Sequence, residues 1–265
     1  AEEPDLRVYA LAQDNGALLD ALGVWPQVVR ARAQHYRKMR VWDAGGGDEL
    51  AFDAATLARD ELGWIVENGL LVDRLWAALV AAGVQVHCPA RVQGMEQDEA
   101  GVRLQLDDGT RLEARVAVAA DGGASELRRL AGLDVDAHDY GQRGVVAFIE
   151  TADPHQETAW QRFLPTGPLA LLPFTQGRSS IVWTLPEAEA ARVLALDDAA
   201  FAVALTDASA ARLGRAVPVS ARAACTSTAS RTLRARSVRC SRRCSRAGPI
   251  SQSASPAAGL RMRAS

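Results

Sequence analysis

The chain has 265 residues, 48% of them apolar, and 30 Lys and Arg against 32 Asp and Glu give a formal net charge of −2. That length and apolar content support one large core or two smaller ones and exclude a chain disordered throughout. No apolar run reaches the roughly 18 residues a membrane-spanning helix needs, and the opening Ala-Glu-Glu-Pro-Asp-Leu-Arg carries neither a hydrophobic signal segment nor an initiator Met, which reads as an N-terminal truncation.

Residues 7–24 read as an amphipathic helix in which Leu18, Leu19 and Leu22 share one face and Gly23 is the stop before Trp25-Pro26. Residues 39–43 and 49–53 are strand-like runs around Gly45-Gly46-Gly47, giving a hairpin within 38–55. Residues 62–68 lead into a helix over 70–82 with a Leu71, Leu75, Ala78, Leu79 stripe, ended by Gly83. Val84-Gln85-Val86-His87 starts a strand, and His87 is read as structural because no acid or nucleophile stands beside it.

Residues 102–106, the turn Asp107-Asp108-Gly109 and residues 110–114 form a β-hairpin feeding residues 116–120. That last run is apolar without polar alternation, as expected of a strand covered on both faces in a mostly parallel sheet. Asp121 ends it. Gly122 and Gly123 admit positive φ and close approach of a ligand, Ser125 offers a hydroxyl as helix N-cap, and Glu126 falls in the first turn. Strand, tight turn and helix place free N–H groups where an anion such as a pyrophosphate sits. Two readings of Asp121 stand side by side, a turn cap and a ligand contact.

From Tyr140 the chain becomes β-rich: residues 145–149, 160–164, 169–173 and 179–185, separated by Pro- and Gly-containing turns, read as an antiparallel sheet distinct from the parallel one. Residues 197–214 read as a helix. Beyond Val219 the composition turns to Arg, Ser, Ala and Cys, with ten Arg and no acid between Ala221 and Ser265, leaving 20 basic against 32 acidic residues before them. Such a break is what a shifted reading frame in GC-rich coding DNA leaves. Three of the four cysteines lie in this tail and Cys88 stands apart; their spacing fits no zinc or disulfide framework, so a reducing compartment and no metal are expected.

Ala120-Asp121-Gly122-x-x-Ser125-x-x-Arg128 after its hairpin resembles the Asp-Gly motif of single-component flavin-dependent aromatic-ring hydroxylases, the class of para-hydroxybenzoate hydroxylase. Further pieces resemble the ubiquinone-biosynthesis branch of that family, in order: Arg7 with the segment after it, Gly63-Trp64-Ile65-Val66-Glu67-Asn68, Asp139-Tyr140-Gly141-Gln142, His155, Gln161-Arg162-Phe163, the run from Gly167 through Pro168, Leu169, Ala170, Leu171 and Leu172 to Pro173, and Ile181-Val182-Trp183-Thr184. The resemblance implies an α/β fold: a partial Rossmann-like FAD-binding domain over 1–139, an antiparallel substrate-domain sheet over 140–185 and a helical segment over 186–219; beyond it the composition gives a disordered tail over 220–265. It implies FAD contacts from Arg7, Asp121, Gly122, Ser125 and Arg128, the last holding Asp121 or a pyridine-nucleotide phosphate, or else simply solvated. Pro168, Leu169, Leu171 and Pro173 are implied as a cavity wall, several of them doubling as core; Glu67 and Asn68 are weaker candidates, and His155 has a structural reading beside it.

The activity implied is hydroxylation of a polyprenylphenol ring in ubiquinone biosynthesis, with FAD reduced by NAD(P)H and one oxygen atom of O2 transferred. The cofactor does the difficult chemistry, so no catalytic acid or nucleophile is named. A cytoplasmic enzyme follows, with association at the inner-membrane surface or with a ubiquinone-biosynthesis complex left open. The family's G-x-G-x-x-G turn and Gly-Asp-Ala-Ala-His segment have no counterpart in the sequence, which leaves a second reading open: a remnant that holds no FAD. Nucleic-acid binding through the Arg-rich tail is a third; the tail lacks aromatic residues for base stacking, so no nucleic-acid partner is expected.

Overall fold

The structure, a computed structural model, describes residues 4–226 except 134 and 136–138. The tail over 220–265 therefore lies almost wholly outside the described residues. The elements in chain order are β1 (Val8–Ala12), α1 (Gln13–Ala21), α2 (Trp25–Arg32), β2 (Ala33–Tyr36), β3 (Lys38–Asp43), β4 (Leu50–Asp53), β5 (Gly63–Glu67), α3 (Asn68–Ala81), β6 (Val92–Gln97), β7 (Val102–Leu106), β8 (Arg111–Ala114), α4 (Glu126–Leu130), β9 (Gln142–Thr151), β10 (Thr158–Leu164), β11 (Gly167–Pro173), β12 (Ser179–Pro186), α5 (Glu187–Leu194), α6 (Asp198–Ala208), β13 (Ala216–Pro218) and β14 (Ala223–Thr226). This is a mixed α/β chain whose described residues fall into two units, the first formed by residues 4–86 and 139–226, the second by those within 87–138.

In the first unit a small antiparallel sheet, β1-β5-β2, is built around the apolar strand Gly-Trp-Ile-Val-Glu. Successive side chains of a strand point to opposite faces. Val66 accordingly packs with Leu19, Val24 and Val28 and with Leu70, Leu71, Leu75 and Ala78 of α3, while Ile65 packs with Phe148 and Phe174 on the other side. Ile65 and Val66 are both 0% exposed, and each such burial stabilises by about 1.5–3 kcal/mol. Gly63 is required by close approach, since a Cβ there would run into the Leu11 carbonyl.

The larger sheet has the order β13-β9-β12-β11-β10-β3-β4, with β14 also on β9. Every pair is antiparallel except β10 with β3, which run parallel, so the predicted hairpin at 38–55 exists and extends the β-rich segment as its edge. One face is sealed: Leu169, Leu171, Ile181 and Trp183 pack with Val145, Ala147 and Ile149 under Val193 of α5 and Phe201 and Leu205 of α6.

Four expected elements differ. The segment over 7–24 is a strand followed by a shorter helix, because residues 8–12 find a ladder partner in β5; only Leu19 of the expected face is buried, with Leu18 and Leu22 exposed. The helix over 197–214 stops at Ala208, where Ala210 and Ala211 take left-handed φ and return Leu213 to the core. Residues 84–87 form no strand. Nor do residues 116–120, whose Val116 and Val118 are 73% and 80% exposed. An apolar run becomes a strand only with a neighbour to pair with, and no described strand pairs with this one.

Candidate functional site

The second unit carries the Asp-Gly corner. Its strands form an antiparallel sheet, β6-β7-β8, in which β7 and β8 are the predicted hairpin. Ser125 is the N-cap of α4, its Oγ accepting from Arg128 N at 3.0 Å while its hydroxyl donates to Asp121. The second carboxylate oxygen of Asp121 accepts from Glu126 N at 2.8 Å and Leu127 N at 3.2 Å. The Ser125 hydroxyl, followed by these backbone N–H groups, holds the Asp121 carboxyl below its usual range. The cap reading of Asp121 is thus realised, and its charge sits where the start of α4 favours an anion.

Gly122 takes φ +84° and faces open space, with no atom within 4 Å of a hypothetical Cβ. Arg128 donates from Nη2 to the Gly123 carbonyl at 3.0 Å, closing the turn rather than pairing with Asp121. A cavity of about 430 Å³ borders the corner, lined by Met95, Val102 and Leu133 with Gly122, Ser125 and Arg128. Replacing Ser125 by Ala is expected to weaken α4 by about 1 kcal/mol, the usual worth of an N-cap hydroxyl, read as faster amide exchange across residues 126–130. Unchanged exchange there would remove the cap from the account of this corner.

In the first unit, Arg7 stands at the entrance to β1. Its N–H donates to Asp5 Oδ1 at 3.0 Å and its carbonyl accepts from Asn68 N at 2.9 Å. Asp5 Oδ2 takes Gly69 N at 2.9 Å and Asn68 Nδ2 at 3.3 Å, and Tyr9 donates its hydroxyl to Asn68 Oδ1 at 3.1 Å. Partial burial acts to raise the Asp5 carboxyl, but the bonds from Arg7, Asn68 and Gly69, with the charge of Arg7, win and hold it below the usual range. The structure so brings together two sequence candidates, Arg7 and Asn68, and adds Asp5 and Tyr9. The other weak candidate, Glu67, is 1% exposed and accepts from Arg32 Nε through both oxygens, at 3.1 and 2.8 Å. Arg32 gave no sign in the sequence, lying with Arg30 in a last turn where either suits a helix end.

Strand alternation decides the expected cavity wall. Leu169 and Leu171, 0% and 1% exposed, belong to the helix-covered core and not to a cavity, and Pro173 is buried in register with Ser179. Pro168, Ala170 and Leu172 point to the other face. There register adds Gln161 beside Ala170, Val41 beside Gln161, Met39 one step along, and Phe52 and Leu50 at the edge. Leu50 and Phe52 are 60% and 50% exposed. The large sheet therefore has one sealed face and one apolar face that is partly open.

The family follows from comparison with known proteins. The chain belongs to the FAD binding domain family, whose model matches residues 8–231. It is 33% identical over 213 residues to ubiquinone biosynthesis monooxygenase COQ6, mitochondrial, of Danio rerio, covering 76% of this chain and 44% of that protein. It is also 33% identical over 182 residues to 3-demethoxyubiquinol 3-hydroxylase of Escherichia coli (strain K12), covering 68% and 46%. The chain spans less than half the length of these curated relatives. In fold it resembles Klebsiella pneumoniae HpxO, whose structure is complexed with FAD and uric acid, with a TM-score of 0.57 at 19% identity over 79% of this chain and 53% of that one.

Proposed function

We propose that this chain is the flavin- and substrate-binding part of an FAD-dependent monooxygenase that hydroxylates the ring of a polyprenylphenol in ubiquinone biosynthesis, with NAD(P)H as reductant and O2 as oxygen donor. The observation that carries the reading is the partly open apolar face of the large sheet, where Leu50 and Phe52 are 60% and 50% exposed, in a chain of the FAD binding domain family. In this reading residues up to 139 serve the flavin and residues 140–185 the substrate. The residue types fit the cofactor: Arg7 offers an exposed cation for a phosphate, Asp121 a carboxylate with lone pairs to spare for a ribose hydroxyl, and Gly122 open space for close approach.

Bound FAD supplies the activation of O2. The chain's own residues bind and orient. Pro168, Ala170 and Leu172 give the ring an apolar bed that excludes water, and Gln161 offers its amide to a ring oxygen. Ser125 and Arg128 keep the Asp121 corner in shape through their bonds to Asp121 and the Gly123 carbonyl. The reading places the enzyme in the cytoplasm, drawing a prenylated substrate from the inner-membrane surface; among the described residues no helix is long and apolar enough to cross a membrane.

Titration of the purified chain with FAD tests this. A saturable, red-shifted flavin absorption band is expected, with affinity reduced about tenfold or more in Arg7→Gln, the worth of one charge-assisted phosphate bond. A second reading, a portion that holds no flavin unaided, is favoured by the exposure of Val116 and Val118 beside the corner. FAD that passes unretained at millimolar concentration would establish it instead.

A further inference from the structure

Both ring nitrogens of His155, in the turn between β9 and β10, are engaged. The residue is 9% exposed. Its Nδ1 accepts from the backbone N–H of Glu157 at 3.0 Å, so Nδ1 carries no proton. The ring proton therefore sits on Nε2, which donates to the Phe174 carbonyl at 3.2 Å. Only the neutral Nε2–H tautomer satisfies both neighbours, because a proton added at Nδ1 sets one N–H against another. The two residues that follow, Gln156 and Glu157, take left-handed φ of 51° and 53°, a conformation that costs residues with a Cβ of order 1 kcal/mol each and persists only where neighbours hold it.

Glu157 is also where the edge hairpin is hooked. Its carbonyl accepts Arg37 N at 2.8 Å and Lys38 N at 3.3 Å, immediately before β3 joins β10 with Lys38 opposite Thr158. Its carboxylate takes Nε2 of His35 on β2 at 2.8 Å. Among the described strands of the sheet, the hairpin's one neighbour beyond itself is β10, β4 being the edge.

We infer that His155 is a proton-operated latch for the β3–β4 hairpin: neutral, it fixes the Gln156-Glu157 turn on which the hairpin hangs, and protonated, it drops the Glu157 N–H and loosens the hairpin from β10. Burial pushes the His155 imidazole below its usual value, opposed by the Phe174 carbonyl and the Glu157 charge, so the latch is closed at neutral pH and opens in acid. Charged groups on the surrounding elements include Asp153 in the turn, His35 on β2, Arg37, Lys38, Arg40 and Asp43 at and along β3, Asp53 on β4 facing Lys38 at 4.0 Å, Arg162 on β10, Arg143 on β9, and Arg178 paired with Glu150 of β9. The latch rests on these hydrogen bonds alone; its bearing on substrate, through Met39, Val41, Leu50 and Phe52, rests on the function proposed above.

Hydrogen exchange of the full chain, corrected for intrinsic rates, tests it at about pH 7.5 and pH 5, either side of the usual histidine value. Residues 37–53 are expected to lose protection about tenfold or more in acid while β11 and β12 keep theirs. His155→Asn places an amide oxygen where Nδ1 accepted and cannot titrate, so the acid effect vanishes; His35→Gln leaves it in place. Equal protection at both pH values, or a loss that survives in His155→Asn and disappears in His35→Gln, overturns the latch. Should His155→Asn fail to fold, nitrogen-15 histidine spectra of the unaltered chain decide: Nε2–H with a midpoint below about 6.5 is expected, and Nδ1–H or a higher midpoint overturns it.

Discussion

Leu171→Ala is expected to lower the unfolding free energy by about 2–5 kcal/mol, as large-to-small changes at sealed core positions do. Leu171 is 1% exposed, in register with Trp160 on one side and Ile181 on the other, beneath the two helices that cover the sheet. The truncation removes apolar contacts and leaves a void that rigid neighbours on three strands cannot close. A shifted urea midpoint at constant slope would report it. The same substitution at Leu172, on the half-open face, should cost less and should act on the binding of aromatic ligands. If Leu171→Ala left the midpoint where it was and altered ligand affinity alone, the division of the sheet into a sealed and an open face would be wrong.

Arg32→Ala carries the second large effect. Glu67 is 1% exposed, and Arg32 is its hydrogen-bond partner through both oxygens. Removing one member of such a pair leaves a charge out of water with nothing to answer it, at a cost of about 3–5 kcal/mol; because Arg32 is itself one-third exposed, water can reach in and the lower end applies. Arg32→Leu combined with Glu67→Leu should recover most of the loss, since replacing both partners by apolar groups removes the stranded charge. Urea midpoints of Arg32→Leu, Glu67→Leu and the double variant form the cycle that measures this. A double variant no more stable than Arg32→Ala would show that the pair is not what holds this end of β5.

Histidine linkage adds a gentler pH dependence. The folded chain holds His155 below its usual value, so the stability it contributes is complete above about pH 6.5 and is lost as the pH falls towards the lower folded value, where the unfolded chain takes up its proton first. Acid unfolding curves of the unaltered chain and His155→Asn should therefore converge at neutral pH and separate below it.

Local chemistry was legible wherever it was self-contained. The hairpin at Asp107-Asp108-Gly109, the Ser125 cap and the stop at Gly23 depend on neighbours in sequence, and all are present. The wall at 168–173 was legible as a strand, but which of its residues face a ligand was not, because an unbroken apolar run hides its alternation; the helices covering Leu169 and Leu171 lie beyond it in the chain. Residues 8–12 and 116–120 show the same limit from opposite sides. Both suit a strand or a helix, and the first became a strand because β5 pairs with it, whereas no described strand pairs with the second. Asp5 and Arg32 were silent because their partners, Gly69 and Glu67, are brought to them only by the fold of the small sheet.

The parallel seam between β3 and β10 sets an order of assembly. Its two halves are synthesised far apart, with all of the second unit between them, so an emerging chain makes the β3–β4 ribbon early and must hold it unattached until Thr158 has left the ribosome. Joining them closes a long loop, a step that slows folding in proportion to how non-local it is. During that wait the ribbon's apolar side, with Leu50 and Phe52, stands without its sheet neighbour and is open to misassociation.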